Sequence, residues 1–282
     1  MKSDAADFRA DINGLRAIAV LAVVLFHFGV AGFSGGSAGA AVFFVLSGCL
    51  MTRIILGPPA AARFSVLRFY LARARRIFPA LAVLGALMLA YGWVQLSPVD
   101  YKTLTKHVGA SLLFISNHTY WKESGYFDVD AHEKWLLHTW SLSVEWQFYL
   151  LYPLLIVAVH RLFRRPAGIA GALWAVFLAS LAWSAWLAFA NPSKAFFLLP
   201  TRAWEMLAGG LIFLHQDACN RLTQGRRWIE LAGLAAIVAA SMGFSRDSTW
   251  PGLNALLPVA GAMLVIANGS GRTRLLGSAA MQ

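Results

Sequence analysis

The 282-residue chain has little charge, less acid than base, and almost no cysteine. Charged residues make up 13% of it against 59% hydrophobic, with a mean hydropathy of +0.61, which leaves too little polar surface to wrap a soluble globule. Cys49 and Cys219 stand far apart without metal-ligand spacing, so there is no disulfide framework and both read as inert thiols. Only 13 acidic residues face 24 basic ones, for a net charge of +11. The basic residues fall in short clusters between apolar runs, with no RNA- or DNA-binding motif around them, which argues against nucleic acid as a partner. No cleavable signal peptide is read, because the first apolar run is too long and lacks a small-residue cleavage site. An internal repeat, a low-complexity stretch and a nucleophile-elbow pattern are also missing.

What remains is a chain of apolar runs. A window of about 20 residues gives eight candidate spans, at 13–32, 36–56, 77–96, 140–160, 167–190, 198–215, 229–245 and 253–268. The expected fold is all-α, a polytopic transmembrane helical bundle with the lipid bilayer as its first partner. Arg53, Arg63, Arg68, Arg73, Arg75 and Arg76 fall between spans two and three. Arg161, Arg164 and Arg165 follow span four, and Arg221, Arg226 and Arg227 follow span six. By the positive-inside rule these loops and the N-terminus are cytoplasmic. Residues 103–117 are only moderately apolar and read as an interfacial or re-entrant outer helix, with 118–139 as an outer loop.

Topology then places the polar residues by depth. Arg16 opens the first span and His27 lies eleven residues on, about 16 Å further along a helix. Glu145 enters the fourth span from the same outer side as His27, so the two can meet as a base and its carboxylate partner, or simply lock two helices together. Arg73 and Arg76, three apart, share a helix face near the level of Arg16 and can clamp a polyanion or hold lipid head groups. Arg202 and Glu205 can pair with each other or line the outer cavity, and Ser47 with Gly48 forms a small-residue site for close helix approach.

These residues resemble the membrane acyltransferase-3 family of O-antigen and peptidoglycan O-acetyltransferases. The likeness rests on Arg16 and His27 in the first span, FFVLSG (Phe43 to Gly48), the RxxR pair Arg73 and Arg76, and GYFD (Gly125 to Asp128) followed by LLHTWSLSVEWQFYLLYP. The resemblance implies transfer of an acetyl or other acyl group from cytoplasmic acetyl-CoA to a hydroxyl of an extracytoplasmic glycan, with no metal. It assigns catalysis to His27 and Glu145 and donor binding to the RxxR pair Arg73 and Arg76, with Arg16 as the partner basic residue placed to join them at the donor; Arg202, Glu205 and Ser47, read from the residues alone, are candidates for contact with the acceptor. It also implies a bacterial inner-membrane location. Trp146 departs from the pattern by replacing the second glutamate of VEEQFY, and Cys49 stands where an aromatic is common. Family members usually continue through an ISYSLYLWHWP-like segment, so the acyltransferase domain over 1–282 is expected to be incomplete, and no SGNH-like domain is read. A secondary transporter and a non-catalytic membrane subunit are the competing classes, and the transporter is disfavoured by the missing repeat.

Overall fold

The computed structural model describes residues 10–57, 64–124, 134–163, 166–223, 226–245 and 248–268. The described residues are helical without a strand. In chain order the helices are α1 (Ala10–His27), α2 (Ser37–Leu56), α3 (Val66–Gln95), α4 (Pro98–Leu112), α5 (Ser116–Glu123) and α6 (Thr139–Phe163). They continue with α7 (Pro166–Ala190), α8 (Pro192–Phe197), α9 (Ala203–Leu214), α10 (Gln216–Thr223), α11 (Arg227–Gly243) and α12 (Leu256–Asn268).

The hub is α2, which contacts α1, α6, α9, α11 and α12. Its small residues permit this. A side chain at Gly48 would strike the Met206 carbonyl of α9, and one at Gly209 would strike the Val45 carbonyl of α2. Between apolar helices in lipid the hydrophobic effect gives no preference for one partner, so such close backbone approach carries the packing. Around this crossing α1 buries the stripe Ile12, Leu15, Ala19 and Ala22, a helical period. The opposite residues Val20, Leu21 and Val24 stay exposed.

Four helices are long and apolar enough to cross a membrane: α2, α3, α6 and α7. The eight windows therefore do not become eight long helices. The four remaining windows fall on α1, α9, α11 and α12, of 18, 12, 17 and 13 residues. At 1.5 Å per residue α9 is about 18 Å long against a hydrocarbon layer of about 30 Å. It is apolar because it is core: Trp204 through Leu211 are all buried. A hydropathy window cannot tell burial in protein from burial in lipid. By contrast α3 buries only Phe69, Leu81, Gly85 and Gly92, and exposes Tyr91 and Trp93 near its end, as a lipid-facing helix with an interfacial aromatic belt would. Because α3 starts at Val66, Arg68, Arg73, Arg75 and Arg76 stand on the helix itself rather than in a loop.

The segment expected to be interfacial or re-entrant is helical. α4 folds back along α3, with Val108 against Gly85 and Leu104 against Gly92. It ends in a turn at Phe114, whose φ is +55°. Part of the expected outer loop is helix α5, and residues 125–133, with the GYFD motif, lie outside the described residues. Arg63, Arg164 and Arg165 lie outside them as well. The Glu123 carboxylate clamps α5 to α4, accepting from Lys106 Nζ at 2.6 Å and from His107 Nε2 at 2.8 Å. Burial raises the Glu123 pKa, but the bonds from Lys106 and His107 outweigh it and leave the carboxyl below its ordinary value.

Two predictions arise from this packing. Gly48→Ala and Gly209→Ala should each destabilise the protein by about 1–3 kcal/mol, the usual range for overpacking. Gly109→Ala and Gly171→Ala, where a methyl group meets open space, should not. Thermal unfolding in detergent would check this, and equal midpoints for all four would refute the α2–α9 crossing. Secondly, a depressed carboxyl stabilises fully above its unfolded pKa of 4.5, and this is lost as pH falls through the lower folded value. The wild-type protein should therefore lose more thermal stability between pH 6 and pH 3 than Glu123→Gln does.

Candidate active site

His27 owes its position to the way α1 ends. The amide of Val30 donates to the Leu25 carbonyl at 3.0 Å and that of Gly29 to the Phe26 carbonyl at 3.1 Å, with Gly29 at φ +64°. This is a Schellman turn, and only glycine adopts its left-handed residue without strain. The sequence HFG thus stops the helix and leaves His27 in its last turn, exposed on a cavity of about 730 Å³. His27 Nδ1 lies 2.6 Å from the Val23 carbonyl oxygen. A carbonyl can only accept, so in the neutral ring Nδ1 carries the proton and Nε2 keeps its lone pair.

Glu145, in the second turn of α6, lines the same cavity. Its Oε1 accepts hydrogen bonds from the Ser47 hydroxyl of α2 and the Tyr149 hydroxyl one turn along α6. No hydrogen bond joins His27 to Glu145. The expected dyad is therefore corrected in its geometry: the two share a cavity, but a backbone carbonyl holds the His27 tautomer and two hydroxyls hold the carboxylate. Ser47 sits behind Glu145 and does not line the cavity.

Arg73 is half-buried beside Tyr149 and within electrostatic range of Arg76, Glu145 and Arg16. Its guanidinium lies 5.9 Å from the Phe69 ring, and its Nε, buried, has no partner. The three arginines singled out in the sequence thus share one electrostatic neighbourhood with Glu145, and none of them lines the cavity that holds His27. The set can bind a polyanion there and a hydroxylated molecule in the cavity. Among the described residues no group of three or more His, Cys, Asp or Glu side chains converges as metal ligands would.

Arg202 and Glu205 form a fully buried ion pair at 2.8 Å. Trp140 and Phe196, which line the cavity, stand between it and the pair, with the Arg202 guanidinium 5.3 and 4.9 Å from their rings. The pair belongs to the packing of α9, and neither residue lines the cavity. Trp146 stacks on Phe114 at 4.5 Å, facing the α4–α5 turn. A glutamate at that position would face away from Glu145's cavity, so its replacement leaves the cavity set intact. Three contributors were not read from the sequence. Tyr149 anchors Glu145. Gln147 fastens the turn after α4 by donating to the Phe114 carbonyl at 2.9 Å and to Asn117 Oδ1 at 2.8 Å. His138 meets His27 edge to face with ring centroids 4.3 Å apart. All three stand in or beside the LLHTWSLSVEWQFY run, where side-chain direction was the missing information.

A family model described as "Acyltransferase domain" matches residues 9–277. The chain is similar to an uncharacterized protein of Haemophilus influenzae, at 30% identity over 234 residues covering 80% of this chain and 96% of that protein. It is similar to the peptidoglycan O-acetyltransferase OatA of Listeria monocytogenes, at 31% identity over 70% of this chain and 32% of that protein. The O-acetyltransferase OatA of Staphylococcus aureus is 29% identical over 85% of this chain and 41% of its own length. The chain thus spans less than half the length of these two O-acetyltransferases. No solved structure matches it.

Proposed function

We propose a function that starts from one fact: this chain belongs to the acyltransferase domain family. It is a multi-pass membrane protein, and its reaction, on our reading, carries an acetyl or similar acyl group from cytoplasmic acyl-CoA to a hydroxyl of an envelope glycan outside the bacterial inner membrane. In this reading the shorter helices α1, α9, α11 and α12 complete eight passes only together with the turns that flank them, with α9 enclosed by protein rather than lipid, and the N-terminus is cytoplasmic. The observation that carries it is the placement of Glu145. It bounds the cavity that holds His27 and shares one electrostatic neighbourhood with the Arg16, Arg73 and Arg76 cluster. Acyl-CoA cannot cross a bilayer, and this arrangement offers phosphate ligands on one side and a base on the other, about 16 Å apart along α1. That separation suits a pantetheine arm.

The chemistry follows from the atoms. Nε2 of His27 takes the proton of the acceptor hydroxyl, whose oxygen attacks the thioester carbonyl. The C–S bond breaks, and the coenzyme A thiolate leaves and takes up the proton. Glu145, held by Ser47 and Tyr149, keeps a negative charge near the imidazolium as it forms. The wall of the cavity contributes Trp135 and Trp140, flat faces on which a sugar ring can lie.

His27→Ala should lower acetyl transfer from acetyl-CoA to deacetylated envelope polysaccharide by at least 10²–10⁴-fold, with membrane insertion unchanged. Near-normal transfer by purified His27→Ala would sink the assignment. Arg73→Ala and Arg76→Ala should instead raise the KM for acetyl-CoA, since each removes a charge-assisted contact to phosphate. If only protein orientation changes and the donor KM does not, these arginines hold lipid and the donor site lies elsewhere.

A further inference from the structure

The motif LLHTW places a second imidazole on the cavity wall that the reaction above does not use. His138 precedes α6 by one residue, and its ring stands at 88° to that of His27 with centroids 4.3 Å apart. Phe26 meets the other ring from α1 in the same way, edge to face at 4.8 Å and 89°. His27 is therefore held at three points: Nδ1 by the Val23 carbonyl and the ring plane by Phe26 and His138. Among the described residues the ionisable groups around His138 are His27 from α1, Lys134 from its own turn and Glu145 from α6, all lining one cavity, while α2 and α8 offer Ser37 and Phe196.

We propose that His138 is the positioning residue for His27: it stays neutral while His27 carries the proton, and its ring both aims Nε2 and shelters the imidazolium. This rests on the reading of His27 as the base. Two imidazoles this close do not readily hold two charges, so the pair takes one proton at a time. The ring that stays uncharged is His138, whose pKa is pulled below the ordinary histidine value, first by lost hydration and then by the His27 charge. A charged ring at this distance would repel the imidazolium, and a neutral one does not. The support expected from a neighbouring carboxylate is thus shared with an aromatic ring.

The experiment is acetyl transfer from acetyl-CoA by the purified full chain, read as kcat, KM and thermal midpoint, for wild type, His138→Ala, His138→Phe and His27→Ala. Without the neighbouring ring the His27 imidazole is free to turn, so His138→Ala should cut kcat about tenfold or more and leave the KM for acetyl-CoA and the thermal midpoint in place. His138→Phe restores a neutral ring and should recover most of kcat. A kcat in His138→Ala close to wild type overturns the proposal, and so does a loss that His138→Phe does not recover or that comes with a lower thermal midpoint, since a purely structural loss lowers the active fraction. Activity in His27→Ala would instead overturn the reading of His27 itself, which keeps the two failures distinct.

Discussion

The contact between the α2 and α9 backbones, where Gly48 faces the Met206 carbonyl and Gly209 the Val45 carbonyl, is the constraint the other helices follow. Apolar side chains gain nothing in lipid by choosing one another, so position must come from shape. With α9 pressed against one face of α2, the neighbouring face presents Phe44 to Trp140 and Ser47 to Glu145 on α6. The depth of Glu145 is therefore set by a crossing of two glycines on other helices. A bulkier α2 or α9 would push α6 outward and release the carboxylate from its anchor.

Ionisable groups inside such a bundle are costly unless partnered, and the chain uses two different solutions. Arg202 and Glu205 neutralise each other within the core, and the guanidinium is further enclosed by Trp140 and Phe196. The pair joins the residue that caps α9 to its first turn at spacing three, so it forms locally and needs no long-range search. Among the described residues Glu145 has no opposite charge in direct contact; it is bound by neutral hydroxyls and lines the cavity.

Helical class, membrane character and family were legible in the sequence, because composition and long apolar runs do not depend on tertiary detail. The grouping of Arg16 with Arg73 and Arg76 was legible too, since depth along a helix can be counted in residues. The number of long helices was not. Within 198–215 and 253–268 the helices α9 and α12 are as apolar as the long α7, yet the core rather than lipid explains α9. Nor was the partner of His27. Spacing placed Glu145 at the right level but could not say which way either side chain turned about its helix axis, and a carbonyl four residues back leaves no mark in a sequence. The aromatic neighbours of His27 were hidden for the same reason: Phe26 and His138 become its partners only after α1 and the turn before α6 have met.

The glycine that ends α1 has a consequence for the timing of disorder. An imidazole on a flexible loop must be ordered anew whenever a ligand arrives, at a cost of about 1 kcal/mol or so for each immobilised side chain. His27 instead belongs to the last hydrogen-bonded turn of a helix that is buried along its other face, one residue before the backbone at Phe28 and Gly29 turns away. Its freedom disappears once, when the chain folds, and every later encounter in the cavity begins with the ring already still.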